Sequence, residues 1–181
     1  MGWTYFRPMN GRDCMKVIVE RLSEDAKIPT QAHDRDFCYD VYATSCREVE
    51  PGVWEYGIGL AFEIVRPQKP ISFGGLIGIV GVSLEDLIST TDVKLSLDFR
   101  PRSSVWHTGL VLSNCEGTID ELYRGEVKAY FYEVIKGREK YAVGDRIGQI
   151  KLGITIPLEF IEGKVNANTE RGCGGFGSSG R

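Results

Sequence analysis

Histidine is nearly missing from this chain. Only His33 and His107 occur in 181 residues, which excludes a metal centre built from several imidazoles. Cysteine is scarce and poorly spaced: Cys14, Cys38, Cys46, Cys115 and Cys173 are odd in number, and no two stand as CxxC. Neither a disulfide framework nor a zinc ribbon is encoded. The expectation is a reducing compartment, with most thiols buried as small apolar groups. A basic excess is also lacking. The formal net charge of −3 argues against a general surface for DNA or RNA and leaves room for a small anion held by a few local cations. No apolar run reaches the ~20 residues of a spanning helix. The longest uncharged stretch, between Lys69 and Glu85, is interrupted by Gly74, Gly75, Gly78 and Gly81. The opening MGWTYFRPMN has no signal-peptide core, and Phe6 stands where a myristoylation motif needs Ser or Thr. A soluble protein bound to neither membrane nor nucleic acid is expected.

What is present suits one packed domain. Hydrophobic residues make up 42% and charged ones 26%, too apolar for a disordered chain of this length. Gly stands at 22, roughly 12% of the chain against a usual ~7%, and forecasts many turns. Short β-favouring runs recur: Met15 to Val19, Tyr39 to Ala43, Gly57 to Val65, Leu95 to Phe99, Gly109 to Leu112, Val127 to Val134 and Ile147 to Ile156. Several alternate in polarity, and Pro51-Gly52 and Lys136-Gly137 mark turns between them. The pattern predicts an all-β barrel or sandwich with no internal repeat. Two segments break it. Residues 67–92 are apolar and glycine-rich, then polar, and Ser83 with Asp86 is expected to cap one short helix. Residues 171–181 hold five glycines and two serines, the composition of a flexible tail.

Three places carry candidate chemistry. In the tail, glycine backbone N–H groups behind Arg171 suit a phosphate chain, and Phe176, isolated among glycines, suits stacking on a base. Arg100-Pro101-Arg102-Ser103-Ser104, after a strand, suits an anion or is a solvated strand end. Asn114 to Glu126 reads as a hairpin with Asp120 and Tyr123 at its mouth, or as an ordinary polar hairpin. Trp106 and His107 read as core or interface packing, and Glu121 and Glu126 as solvated or structural.

In chain order these pieces resemble the five motifs of the homotrimeric dUTPase family, the deoxyuridine triphosphate nucleotidohydrolases. Tyr39-Asp40-Val41-Tyr42-Ala43 is similar to the first and Pro101-Arg102-Ser103-Ser104 to the second. Gly117-Thr118-Ile119-Asp120 with Tyr123-Arg124-Gly125 is similar to the third, and Gly144-Asp145-Arg146-Ile147-Gly148-Gln149 to the fourth. Arg171-Gly172-Cys173-Gly174-Gly175-Phe176-Gly177-Ser178-Ser179-Gly180 is similar to the fifth. There are departures: Phe37-Cys38 precedes Tyr39 where the family has Ala-Gly, Gly148 replaces an alanine, and residues 67–92 replace a short turn.

The resemblance implies an all-β, distorted jelly-roll barrel with at most one or two short helices. It also implies an extension over residues 1–14, a barrel over 15–170 with 67–92 inserted, and an arm over 171–181. Three copies would assemble with the arm shared between subunits, in the cytoplasm or in the nucleus of a eukaryote. The implied enzyme is a dUTP diphosphatase that converts dUTP to dUMP and pyrophosphate with Mg²⁺. Roles carry over by position. Asp120 would place the attacking water. Tyr123 would pack under the deoxyribose, and Asn114 with Gly117, Thr118 and Ile119 would read uracil. Arg102, Ser103, Ser104 and Gln149 would contact phosphates, and Asp40 would hold the water shell of the metal. Arg171 would bind the γ-phosphate, while Phe176, Gly177 and Ser178 would close over the nucleotide. Alternatives are a dCTP deaminase of the same fold, or a nucleotide-responsive regulatory protein using residues 67–92.

Overall fold

Polarity alternates with a period of two along most of the chain, and the computed structural model turns that period into strands. It describes residues 15–66, 93–166, 168–170 and 172. In chain order the strands are β1 (Lys16–Arg21), β2 (Tyr39–Tyr42), β3 (Ser45–Glu50), β4 (Val53–Gly57), β5 (Leu60–Val65), β6 (Lys94–Arg100), β7 (Leu110–Leu112), β8 (Gly117–Asp120), β9 (Lys128–Glu133) and β10 (Arg146–Thr155). Among the described residues the only helical element is a 3₁₀ turn over Ser103–Thr108. The expected helix near Ser83, with residues 1–14 and 67–92, lies outside the described residues.

The strands form three antiparallel sheets, ordered β1-β5, β2-β10-β6-β8 and β3-β4-β9-β7. The architecture is all-β and jelly-roll-like, and the sheets share one hydrophobic core without closing into one hydrogen-bonded ring. β9 shows how the period works. Ala129 and Phe131 point into the core, while Lys128 and Tyr130 face outward. Val41, Tyr56, Ile58, Leu60, Leu110, Phe131 and Ile147 are the largest fully buried side chains, and they come from both four-stranded sheets and the β4–β5 segment between them. Tyr56 meets Phe131 edge to face at 5.6 Å.

Two strands carry too weak a local signal to be read from the sequence. β3 has three charged residues in six, a composition an edge strand tolerates because one side meets water. It is secured by pairing with β4 across the Pro51-Gly52 turn. The run from Gly57 to Val65 is divided in two. Gly59 adopts φ +64°, which ends β4 before β5 begins at Leu60. The thiols also differ from expectation: Cys38 and Cys46 are half-buried and Cys115 is exposed.

Candidate functional site

Asn114 to Glu126 does not form a hairpin whose arms pair with each other. β8 pairs with β6, matching Phe99 with Gly117, Asp98 with Thr118, Leu97 with Ile119 and Ser96 with Asp120. β9 belongs to the other four-stranded sheet, between β4 and β7. The two strands therefore diverge, and a cavity of about 650 Å³ opens between them. Asn114, Gly117, Thr118, Ile119, Asp120 and Tyr123 line one side, Glu126 to Tyr130 the other, and Phe99 and Leu112 add apolar surface. Among the described residues β8 is an edge strand, which leaves the backbone groups on its outer side to suit a planar ring with several donors and acceptors.

The turn between the strands holds the two candidate side chains, Asp120 and Tyr123, in a set order. The Tyr123 N–H donates to the Asp120 carbonyl at 2.9 Å, and the Tyr123 hydroxyl donates to the Glu126 carbonyl at 3.0 Å. Gly125 is needed beneath that ring, because a Cβ there would meet the Tyr123 hydroxyl at 2.5 Å. The Glu126 carboxylate accepts the Gly59 N–H at 3.0 Å, which ties the turn to the β4–β5 connection. Asp120 is exposed at the end of β8, facing the cavity with Tyr123.

A second cavity, about 310 Å³, gathers Asp40, Arg102, Ser103 and Gln149 beside Phe37 and Cys38. Strand register explains this convergence. Gln149 on β10 stands opposite Asp40 on β2 and Arg100 on β6, so three distant segments meet in one row. Arg102 follows β6 immediately and Ser103 begins the 3₁₀ turn; Ser104, also on that turn, is exposed and lines neither cavity. Asp40 is 8% exposed and is held between two guanidinium groups, with Arg102 Nε and Arg146 Nη1 each 3.1 Å from its oxygens. Arg146 stands in the fourth motif without an assigned role, and only the β2–β10 pairing reveals its partner. Phe37 is accommodated by pointing outward, 79% exposed, which leaves Asp40 on its strand.

The two cavities share no lining residue. Arg171, Phe176, Gly177 and Ser178 lie outside the described residues. Trp106 is not core: it is exposed and stacked on His107 at 3.5 Å between centroids. Beyond β10 the chain continues as an irregular segment whose Ile156, Leu158, Phe160, Ile161 and Val165 are all exposed. No helix among the described residues is long and apolar enough to cross a membrane.

A family model described as dUTPase matches residues 99–180. A deoxyuridine 5'-triphosphate nucleotidohydrolase of Solibacter usitatus is 32% identical over 173 residues, covering 92% of this chain and 97% of that protein. One of Helicobacter pylori strain 26695 is 33% identical over 168 residues, at 92% and 97% coverage. Among solved structures, the dUTPase of Staphylococcus bacteriophage 80alpha with dUpNHpp matches with a TM-score of 0.64 and 21% identity, covering 92% of this chain and 99% of that one. The dUTPase of phage phi11 of S. aureus, described as showing a species-specific insert, matches at 0.52 and 18%, covering 86% and 98%. At these identities the structural likeness speaks for the fold.

Proposed function

Because this chain belongs to the dUTPase family, we propose that it hydrolyses dUTP to dUMP and pyrophosphate, with the cavity between β8 and β9 as its nucleoside site. The observation that carries the reading is the lining of that cavity. An edge-strand backbone, a carboxylate and an aromatic ring face one volume of about 650 Å³. Backbone from Gly117 to Ile119, with Asn114, reads the uracil edge. Cytosine exchanges the donor and acceptor at its fourth ring position, and each buried polar group left unpaired costs about 1–3 kcal/mol. Tyr123 lies under the sugar, where a 2′-hydroxyl has no space.

Asp120 accepts a hydrogen bond from the attacking water and directs it at the α-phosphorus. The water oxygen bonds to phosphorus while its proton passes by way of Asp120 to solvent, the bond to the bridging oxygen breaks, and pyrophosphate leaves. An exposed carboxylate is a weak base, so its contribution is placement of the water. Arg102, Ser103 and Gln149 take phosphate oxygens, and Arg171, Phe176, Gly177 and Ser178 belong to an arm over 171–181 that closes on the bound nucleotide. Closure excludes water and strengthens each charge contact.

The donor set fits a magnesium ion that arrives on the triphosphate. No cluster of three or more His, Cys, Asp or Glu side chains able to hold a metal occurs among the described residues. Asp40 already has arginines on both oxygens, so its remaining lone pairs suit water of the ion's shell. Bound there, magnesium supplies charge neutralisation for the phosphates.

We place the enzyme in the cytoplasm as a homotrimer. Two half-sites on one chain with no common residue, and an exposed apolar run after β10, support a site completed by neighbours. The test is pyrophosphate release from dUTP, dCTP, dTTP and UTP with magnesium. Turnover of dUTP alone is expected, and Asp120→Asn should reduce it at least 100-fold while dUMP still binds. Absence of turnover by wild-type protein overturns the reading.

A further inference from the structure

The turn that carries Asp120 and Tyr123 is anchored from outside. Of the two residues between them, Leu122 is 83% exposed. Glu121 is bound on both sides. Its carboxylate receives Nε and Nη2 of Arg66 at 2.5 and 2.6 Å, a two-pronged ion pair, and the same Nη2 donates to the Val93 carbonyl at 2.8 Å. Its own carbonyl receives Nη1 of Arg124 at 2.6 Å. The Arg66 guanidinium, first among its partners, holds the Glu121 carboxyl below its ordinary range.

Position makes this pair unusual. Arg66 directly follows β5 and Val93 directly precedes β6, so the two residues flank segment 67–92. One guanidinium therefore ties the end of β5, the start of β6 and the residue next to Asp120 into one unit. β6 completes the loop, because Ser96 stands opposite Asp120 across the sheet. Neither Arg66 nor Glu121 lines either cavity. The fork geometry of Arg sets direction as well as distance, which a single ammonium does not.

We propose that Arg66 and Glu121 are positioning residues for dUTP hydrolysis, fixing the turn so that Asp120 holds the water in line with the bond to be broken. This inference rests on the functional reading above. Arg66 is half exposed, and a pair so placed contributes little to folding. Placement is far more sensitive, since a displacement of about 1 Å can cost roughly 100-fold in rate. The pair should thus appear in turnover and hardly at all in melting.

The experiment measures kcat, KM and Tm for Arg66→Ala, Glu121→Gln, the double variant and Arg66→Lys. Each of the first two should lose about 10-fold in kcat, with KM within about threefold and Tm within a few degrees of wild type. The double variant should be no slower than the slower single, because both act through one contact. Arg66→Lys, which keeps charge without the fork, should fall between wild type and Arg66→Ala. Unchanged kcat in both single variants of an active enzyme overturns the inference alone, as does a double variant slowed by the product of the two single effects. A wild-type protein that turns over no dUTP overturns the functional reading and this inference together.

Discussion

A methyl group at position 148 has no space. A Cβ there would stand 2.8 Å from the Arg100 carbonyl oxygen and nearer still to the Phe99 ring. The glycine that departs from the family's alanine is therefore the counterpart of a phenylalanine on the neighbouring strand, a residue that also lines the cavity between β8 and β9. Gly148→Ala should destabilise by about 1–3 kcal/mol, through forced displacement in a packed core. Adding Phe99→Leu should recover part of that loss. Thermal melts of the two single variants and the double variant check the coupling, and independent effects would mean the ring is not what fills the space.

Between strands, the sheet β3-β4-β9-β7 carries a buried carboxylate that three side chains satisfy. Glu55 on β4 is 4% exposed, and register sets Arg47 of β3 on one side and Tyr130 of β9 on the other. Arg47 Nε lies 2.8 Å away, the Tyr130 hydroxyl donates to the other oxygen, and Lys128 Nζ approaches to 3.4 Å. Arg47 first, then Tyr130, outweigh the opposing effect of burial and lower the Glu55 pKa from 4.5 to about 2. A carboxyl lowered by folding adds stability that is fully present above its unfolded value. That stability drains away as pH falls from 4.5 toward 2. Glu55→Gln should therefore melt lower at pH 7 and converge on wild type near pH 2. Asp98 and Glu121 are lowered too, so the difference between the two proteins across pH isolates Glu55. Parallel curves would show that Glu55 is unpaired in solution. Lys128 and Tyr130 also line the cavity between β8 and β9, so this network holds one of its walls.

For the whole molecule, two cavities without a shared residue predict complementation between defective chains. Asp120→Asn impairs the first cavity and Arg102→Ala the second. Unfolded together and refolded, an equal mixture should regain activity neither parent has. Random assortment in a trimer with sites between subunits leaves about a quarter of sites intact. A mixture as inactive as its parents would place both halves of each site on one chain.

The sequence by itself determined the class and the chemistry. Period-two patterning needs only neighbouring residues, and it located seven of the strands within a few positions. The ordered motifs likewise name their residues without reference to folding. What only tertiary structure decided are pairings across long separations. β8 leaves β9 for β6, so a supposed hairpin becomes the mouth of a cavity. Asp40 meets Arg146 through the register of β10 on β2, and Glu55 collects partners from both adjoining strands. Charged β3 is a strand because β4 lies beside it. Register is set by which faces the whole core buries, and no local stretch of chain contains that information.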